Sequence, residues 1–137
     1  MKSILLLEDE SIVMNLMRHM LRQYSLMEAS TVEQALDLFQ GHREDVGLLL
    51  ADLTLPVSSG VELALVLRNE SRFLPVIVTS GYPVGGWSRV DGGNLLRLGT
   101  TSVVVLQKPF RRQLLLDTIF DLMGERPEPL PGTPVVN

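Results

Sequence analysis

Five short apolar runs recur along the chain: "SILLLE" from Ser3, "SLMEA" from Ser25, "VGLLLA" from Val46, "PVIVTS" from Pro75 and "TSVVVLQ" from Thr101. They are continuous rather than alternating, the pattern of strands covered on both faces. Between the first four, the apolar positions fall at helical spacing. Residues 11 to 23 carry Met14, Met17 and Leu21 on one face, with Ser11 as a start signal. Thr31 opens a second helix whose Val32, Ala35, Leu36 and Phe39 share a face, with Gly41 fitting a stop. "SSGVELALVLRNE" predicts a third, with Ser58 or Ser59 as its cap, and "RRQLLLDTIFDLMG" a last one that ends on Gly124. Strands of this kind alternating with helices predict an α/β fold, a doubly wound five-stranded parallel sheet with helices on both sides.

Two segments break the rhythm. Residues 81 to 100, "GYPVGGWSRVDGGNLLRLGT", hold six glycines, so the expectation is a long loop with at most a short helix near Asn94 to Leu98. The fourth helix is thus expected to be short or replaced by a loop. The end, "ERPEPLPGTPVVN", has four prolines in thirteen residues and reads as a flexible tail or the start of a linker, which leaves 1–124 as the domain.

Composition narrows the class. At 137 residues the chain is about one domain, and 45% hydrophobic with 20% charged residues is globular usage. With no cysteine there is neither a disulfide framework nor a thiolate metal site. A net charge of −4 and a pI near 5.1 argue against nucleic acid, and the pair Arg111 and Arg112 reads as a solvated helix start. "MKSILLLEDE" is too short an apolar run for a signal peptide or a membrane span, so a cytoplasmic protein without membrane contact is expected. His19 and His42 read as solvent-facing, and Trp87 either covers apolar surface or anchors a partner.

The buried run "VGLLLA" ends on a charge, Asp52, and this is where the chemistry begins. Ligands of an open parallel sheet bind beyond the carboxyl ends of its strands. Residues following the strands therefore converge: Glu8 and Asp9 after the first, Asp52 after the third, Thr79 and Ser80 after the fourth, Gln107 and Lys108 after the fifth. Crowded carboxylates repel unless a cation sits among them, and hard oxygen ligands in this number suit Mg²⁺.

These residues resemble the receiver domains of two-component response regulators, of the CheY-like, flavodoxin-like fold. The matches are the acidic pair in "LLLEDE", "ADLTLPVSSG" with Asp52, Pro56 and Gly60 at the family's spacing, "PVIVTSGY" with Ser80, and "QKPF" with Lys108. Each is weak alone; four in order over residues 2 to about 123 are specific. The resemblance implies that Asp52 is the phosphoacceptor, that Ser80 and Lys108 contact the phosphoryl oxygens, and that Asp9, Asp52, the Thr54 carbonyl and, through water, Glu8 hold Mg²⁺. It also implies a cis Lys108–Pro109 bond.

The expected function is to take a phosphoryl group from a histidine kinase or a histidine phosphotransfer protein onto Asp52 and to signal by conformational change. No enzymatic activity beyond the domain's own phosphorylation and dephosphorylation is expected. Such a chain would be a stand-alone regulator, a phosphate shuttle, or a receiver piece of a hybrid kinase. The alternative is a pseudo-receiver that binds proteins without phosphate. A haloacid-dehalogenase-type hydrolase fits less well, since "DLT" lacks the second aspartate two residues after the nucleophile.

Three features depart from the family. Glu8 stands for the commoner aspartate, the segment from Ser80 to Lys108 is long and glycine-rich, and Val105 sits where many receivers carry a switching aromatic. Tyr82 and residues 82 to 99 are therefore the expected moving parts. On the first helix, Ile12 and Leu16 lie away from the core-facing Met17 and Leu21 and are the expected partner surface.

Overall fold

Ile4 and Leu6 pack into one hydrophobic core, and Leu5 and Leu7 into another on the opposite side of the sheet. This is why the run is apolar without a break: neighbouring side chains point to opposite faces, and both are covered. Each of these residues is at most 2% exposed, and full burial of such a side chain contributes about 2 kcal/mol. The computed structural model describes residues 2–124. Its strands are β1 (Ser3–Leu7), β2 (Leu26–Ala29), β3 (Val46–Asp52), β4 (Val76–Ser80) and β5 (Val103–Gln107). All pair in parallel, in the order β2-β1-β3-β4-β5. The expected doubly wound sheet is therefore present, with five helices around it.

Those helices are α1 (Ser11–Met20), α2 (Val32–His42), α3 (Gly60–Glu70), α4 (Arg89–Leu98) and α5 (Arg112–Met123). Met14 and Met17 of α1 share one core with Leu115 and Ile119 of α5. Ala35 and Phe39 of α2, Val61, Ala64 and Leu67 of α3 and Leu98 of α4 share the other. Thr31 and Ser59 cap α2 and α3, accepting from the amides of Gln34 and Glu62 at 3.1 and 3.2 Å. Gly124, at φ 68°, ends α5 in the left-handed conformation that glycine tolerates.

Four local expectations need correction. The fourth helix is ten residues long, beginning at Arg89 rather than near Asn94. Gly92 and Gly93 lie inside it; Ser88 offsets their low propensity by capping the Asp91 amide at 3.1 Å, and Leu98 is buried against the core. Helix α1 begins at Ser11, as expected, but stops at Met20 rather than running to residue 23, and the Arg112 guanidinium donates to the freed Met20 carbonyl at 2.9 Å and to Gln23 Oε1 at 3.1 Å. Arg112 is thus a half-buried tie between α5 and α1, not part of a solvated helix start. Gly41 does not stop α2, which runs to His42 and passes into a 3-10 turn at Arg43–Asp45. The expected tail, 125–137, lies outside the described residues. Among the described residues no helix is long and apolar enough to cross a membrane.

Candidate functional site

The strand order reverses direction between β1 and β3, and the charged residues emerge there. Leu7 pairs with Ala51, so Glu8 and Asp52 leave the sheet side by side; Asp52 in turn pairs with Thr79, and Ser80 with Gln107. Backbone bonds carry the ladder one step further and fix these exits: the Glu8 amide donates to Ala29 O at 3.1 Å, Leu53 to Thr79 O at 2.8 Å and Lys108 to Ser80 O at 2.7 Å. Gly60 completes the frame. A Cβ there would lie 2.5 Å from the Asp52 carbonyl oxygen and 2.9 Å from Ala51 Cβ, so only glycine lets the first turn of α3 sit against the Asp52 backbone.

Lys108 lies across the crevice. Its Nζ is 2.8 Å from Asp52 Oδ1 and 3.9 Å from Glu8 Oε1, and the Lys108–Pro109 bond is cis, as expected. Burial alone would lower the lysine's pKa, but the hydrogen bond to Asp52 and the charges of Asp52, Glu8 and Glu10 outweigh it and raise it, which keeps the ammonium charged. Asp52 is 6% exposed, and the same Oδ1 accepts from Thr79 Oγ1 at 3.1 Å. Oδ2 carries neither contact.

Glu8 is 4% exposed, with its Oε2 accepting from the Glu10 amide at 3.1 Å. Burial pushes its carboxyl above the ordinary glutamate range. Asp52 and Asp9 add to the rise, while the Glu10 amide and Lys108 only partly oppose it. Carboxylate oxygens of Glu8, Asp9 and Glu10 lie within 4.8 Å of one another. Asp9, Glu10, Asp52, Thr54, Gly81, Tyr82 and Lys108 line one cleft. Its wall of carboxylates with a backbone segment at Thr54 is a hard-oxygen donor set of the kind that suits a small divalent cation.

Ser80 is near this cleft but turned from it. Its Oγ donates to Tyr82 O at 2.6 Å and accepts from the Tyr82 amide and from Trp87 Nε1, both at 3.2 Å. Tyr82 is 41% exposed, and Trp87, at 8%, is core, which settles its two readings in favour of covering apolar surface. On the flank, Ile12 and Leu16 are 81% and 55% exposed. His19 and His42 are exposed as expected. The structure thus brings Glu8, Asp9, Asp52, Thr54 and Lys108 together, and leaves Ser80 engaged with its own loop. Thr79, Glu10 and Trp87 are contacts that reading the sequence missed. Thr79 had a signal, since it stands among the residues expected to converge at the strand ends.

Beyond the carboxyl ends of a parallel sheet, then, a buried aspartate shares an edge with a lysine, an acidic pair and two hydroxyls. The chain matches the response regulator receiver domain family over residues 4–120 and belongs to it. It is 29% identical over 128 residues to the polar-differentiation response regulator DivK of Brucella anthropi, covering 90% of this chain and 98% of that one. The DivK of Brucella ovis is 28% identical over the same span. Among solved structures, the Vibrio cholerae chemotaxis protein CheY4 matches with a TM-score of 0.74 at 24% identity, covering 89% of this chain and 98% of that one. The response regulator TrrA of Thermotoga maritima, solved in complex with Mg²⁺–BeF, matches at 0.72 and 23% identity, over 89% of this chain and 99% of its own. The fold is therefore the CheY-like one, and the chain is a receiver domain of two-component signalling.

Proposed function

We propose that residues 1–124 form a cytoplasmic receiver that takes a phosphoryl group from a histidine kinase or phosphotransfer protein onto Asp52. The observation that carries this reading is the asymmetric Asp52 carboxylate, with Oδ1 held by Lys108 and Thr79 and Oδ2 without either contact. Oδ2 attacks phosphorus in line, the P–N bond of the phosphohistidine breaks, and its electron pair leaves on the imidazole; an acyl phosphate remains on Asp52. Lys108 stays charged and neutralises the equatorial oxygens. Ser80, once turned, donates to one of them. Asp9, Asp52 and the Thr54 carbonyl would hold Mg²⁺, with Glu8 acting through water. When bound, Mg²⁺ supplies charge neutralisation on the phosphoryl oxygens.

Ile12 and Leu16 form the apolar flank on which the donor's helix docks. The signal leaves through Tyr82 and the 81–88 loop, since α4 already orders residues 89–98. Intact mass after incubation with acetyl phosphate and Mg²⁺ tests the centre of this reading. A single labile phosphoryl adduct, lost in Asp52→Asn, is expected. An equal adduct on that variant overturns the assignment, and no adduct on either favours a protein-binding module that works without phosphate.

A further inference from the structure

Resting on the reading of Asp52 as phosphoacceptor, we infer that Trp87 is the positioning residue for Ser80 and couples its hydroxyl to α4. A serine hydroxyl has one proton to donate and two lone pairs to accept with. In Ser80 all three are used inside the 80–87 turn: the proton goes to Tyr82 O, and the lone pairs receive the Tyr82 amide and the Trp87 indole. The side chain is 1% exposed, so these partners are not exchanged for water. Donation to a phosphoryl oxygen on Asp52 needs that one proton, and Tyr82 O must then give it up.

The indole stands ready to fill the gap. Trp87 Nε1 is already 3.4 Å from Tyr82 O, and turning Ser80 away leaves that carbonyl as its remaining partner. A buried donor follows its acceptor, because an unpaired buried N–H is costly. Trp87 sits in the same core as Leu53 and Leu98, and the next residue, Ser88, is the N-cap of α4. Movement of the indole is thus delivered to the start of that helix. At the β5 position, half-buried Val105 has neither a ring to rotate nor a donor to follow Ser80. Trp87, hydrogen-bonded to the hydroxyl itself, performs this task from the 80–87 turn.

Trp87 is the chain's single tryptophan, so its emission reports the site without a label. The test titrates the whole protein with beryllofluoride and Mg²⁺, reading tryptophan emission, with fluorine NMR as an independent measure of binding. A shift in emission that saturates with binding is expected, and it should vanish in Ser80→Ala while fluorine NMR still shows the bound complex. Trp87→Phe keeps a ring and removes only the N–H. With no N–H to take over the Tyr82 carbonyl once Ser80 turns, the bound state is left with an unpaired buried acceptor, so beryllofluoride binding should weaken about threefold to tenfold.

In the Ser80→Ala background the same change should have no effect, because the two residues act as one unit. Unchanged emission in the bound wild type overturns the inference. So does a Trp87→Phe effect that persists without the serine, which would mark a packing role. Fluorine NMR showing no complex with the wild type overturns the phosphoacceptor reading itself, and the inference with it.

Discussion

A carboxylate offers two oxygens, and at Asp52 the surroundings make them unequal, one pinned by a lysine and a threonine and the other with neither contact. Its neighbour Glu8 has the opposite problem, a buried charge with an N–H at 3.1 Å and a lysine no closer than 3.9 Å. Burial raises its pKa, so the charged form costs folding stability at neutral pH. Glu8→Gln should raise the melting temperature of the metal-free protein by roughly 2–5 °C. On the proposed reading, in which Glu8 holds Mg²⁺ through water, the rise in melting temperature on adding Mg²⁺ should be smaller in this variant than in the wild type. Calorimetry with and without Mg²⁺ checks both, and a destabilised variant would show that Glu8 is held by its partners rather than strained against them. The acids were legible in the sequence because a charge that closes an apolar run can only lie at a strand end. The hydrogen bonds of Thr79 and Trp87 were not, although both residues were singled out, since those bonds depend on side-chain rotation that no periodicity records.

Among the elements, α4 is the one whose sequence hid it. Gly92 and Gly93 cost a helix about 1 kcal/mol each relative to alanine, and the six glycines between residues 81 and 100 made the segment read as a loop. What forms the helix is tertiary: Leu98 is buried in the core, and Arg68 of α3 donates to the carbonyls of Leu98, Thr101 and Ser102 at 3.3, 2.9 and 3.3 Å. A Cβ at either glycine would meet no atom within 4 Å. Gly92→Ala with Gly93→Ala should therefore stabilise the protein by up to about 2 kcal/mol, seen as a higher urea midpoint at unchanged slope. A lower midpoint would mean that α4 needs the freedom those residues give. The central strands, by contrast, were legible because two covered faces keep β1, β3 and β4 buried along almost their whole length, while edge strand β2 carries an exposed Glu28.

At the scale of the molecule, the sheet separates two cores. Helices α1 and α5 close one, and α2, α3 and α4 the other. The exposed pair Ile12 and Leu16 lies on the α1 side, at the carboxyl end of β1. Changing both to Asp should slow phosphoryl transfer from the cognate kinase by tenfold or more, while acetyl phosphate still labels Asp52 at the wild-type rate. Equal loss of both reactions would point to misfolding. The partition into two cores has a consequence for traffic. On the proposed reading a donor seated on α1 meets one face of the sheet, while α4, the helix that follows Trp87, packs on the other. On the same reading, phosphoryl loading and signal output do not compete for one surface.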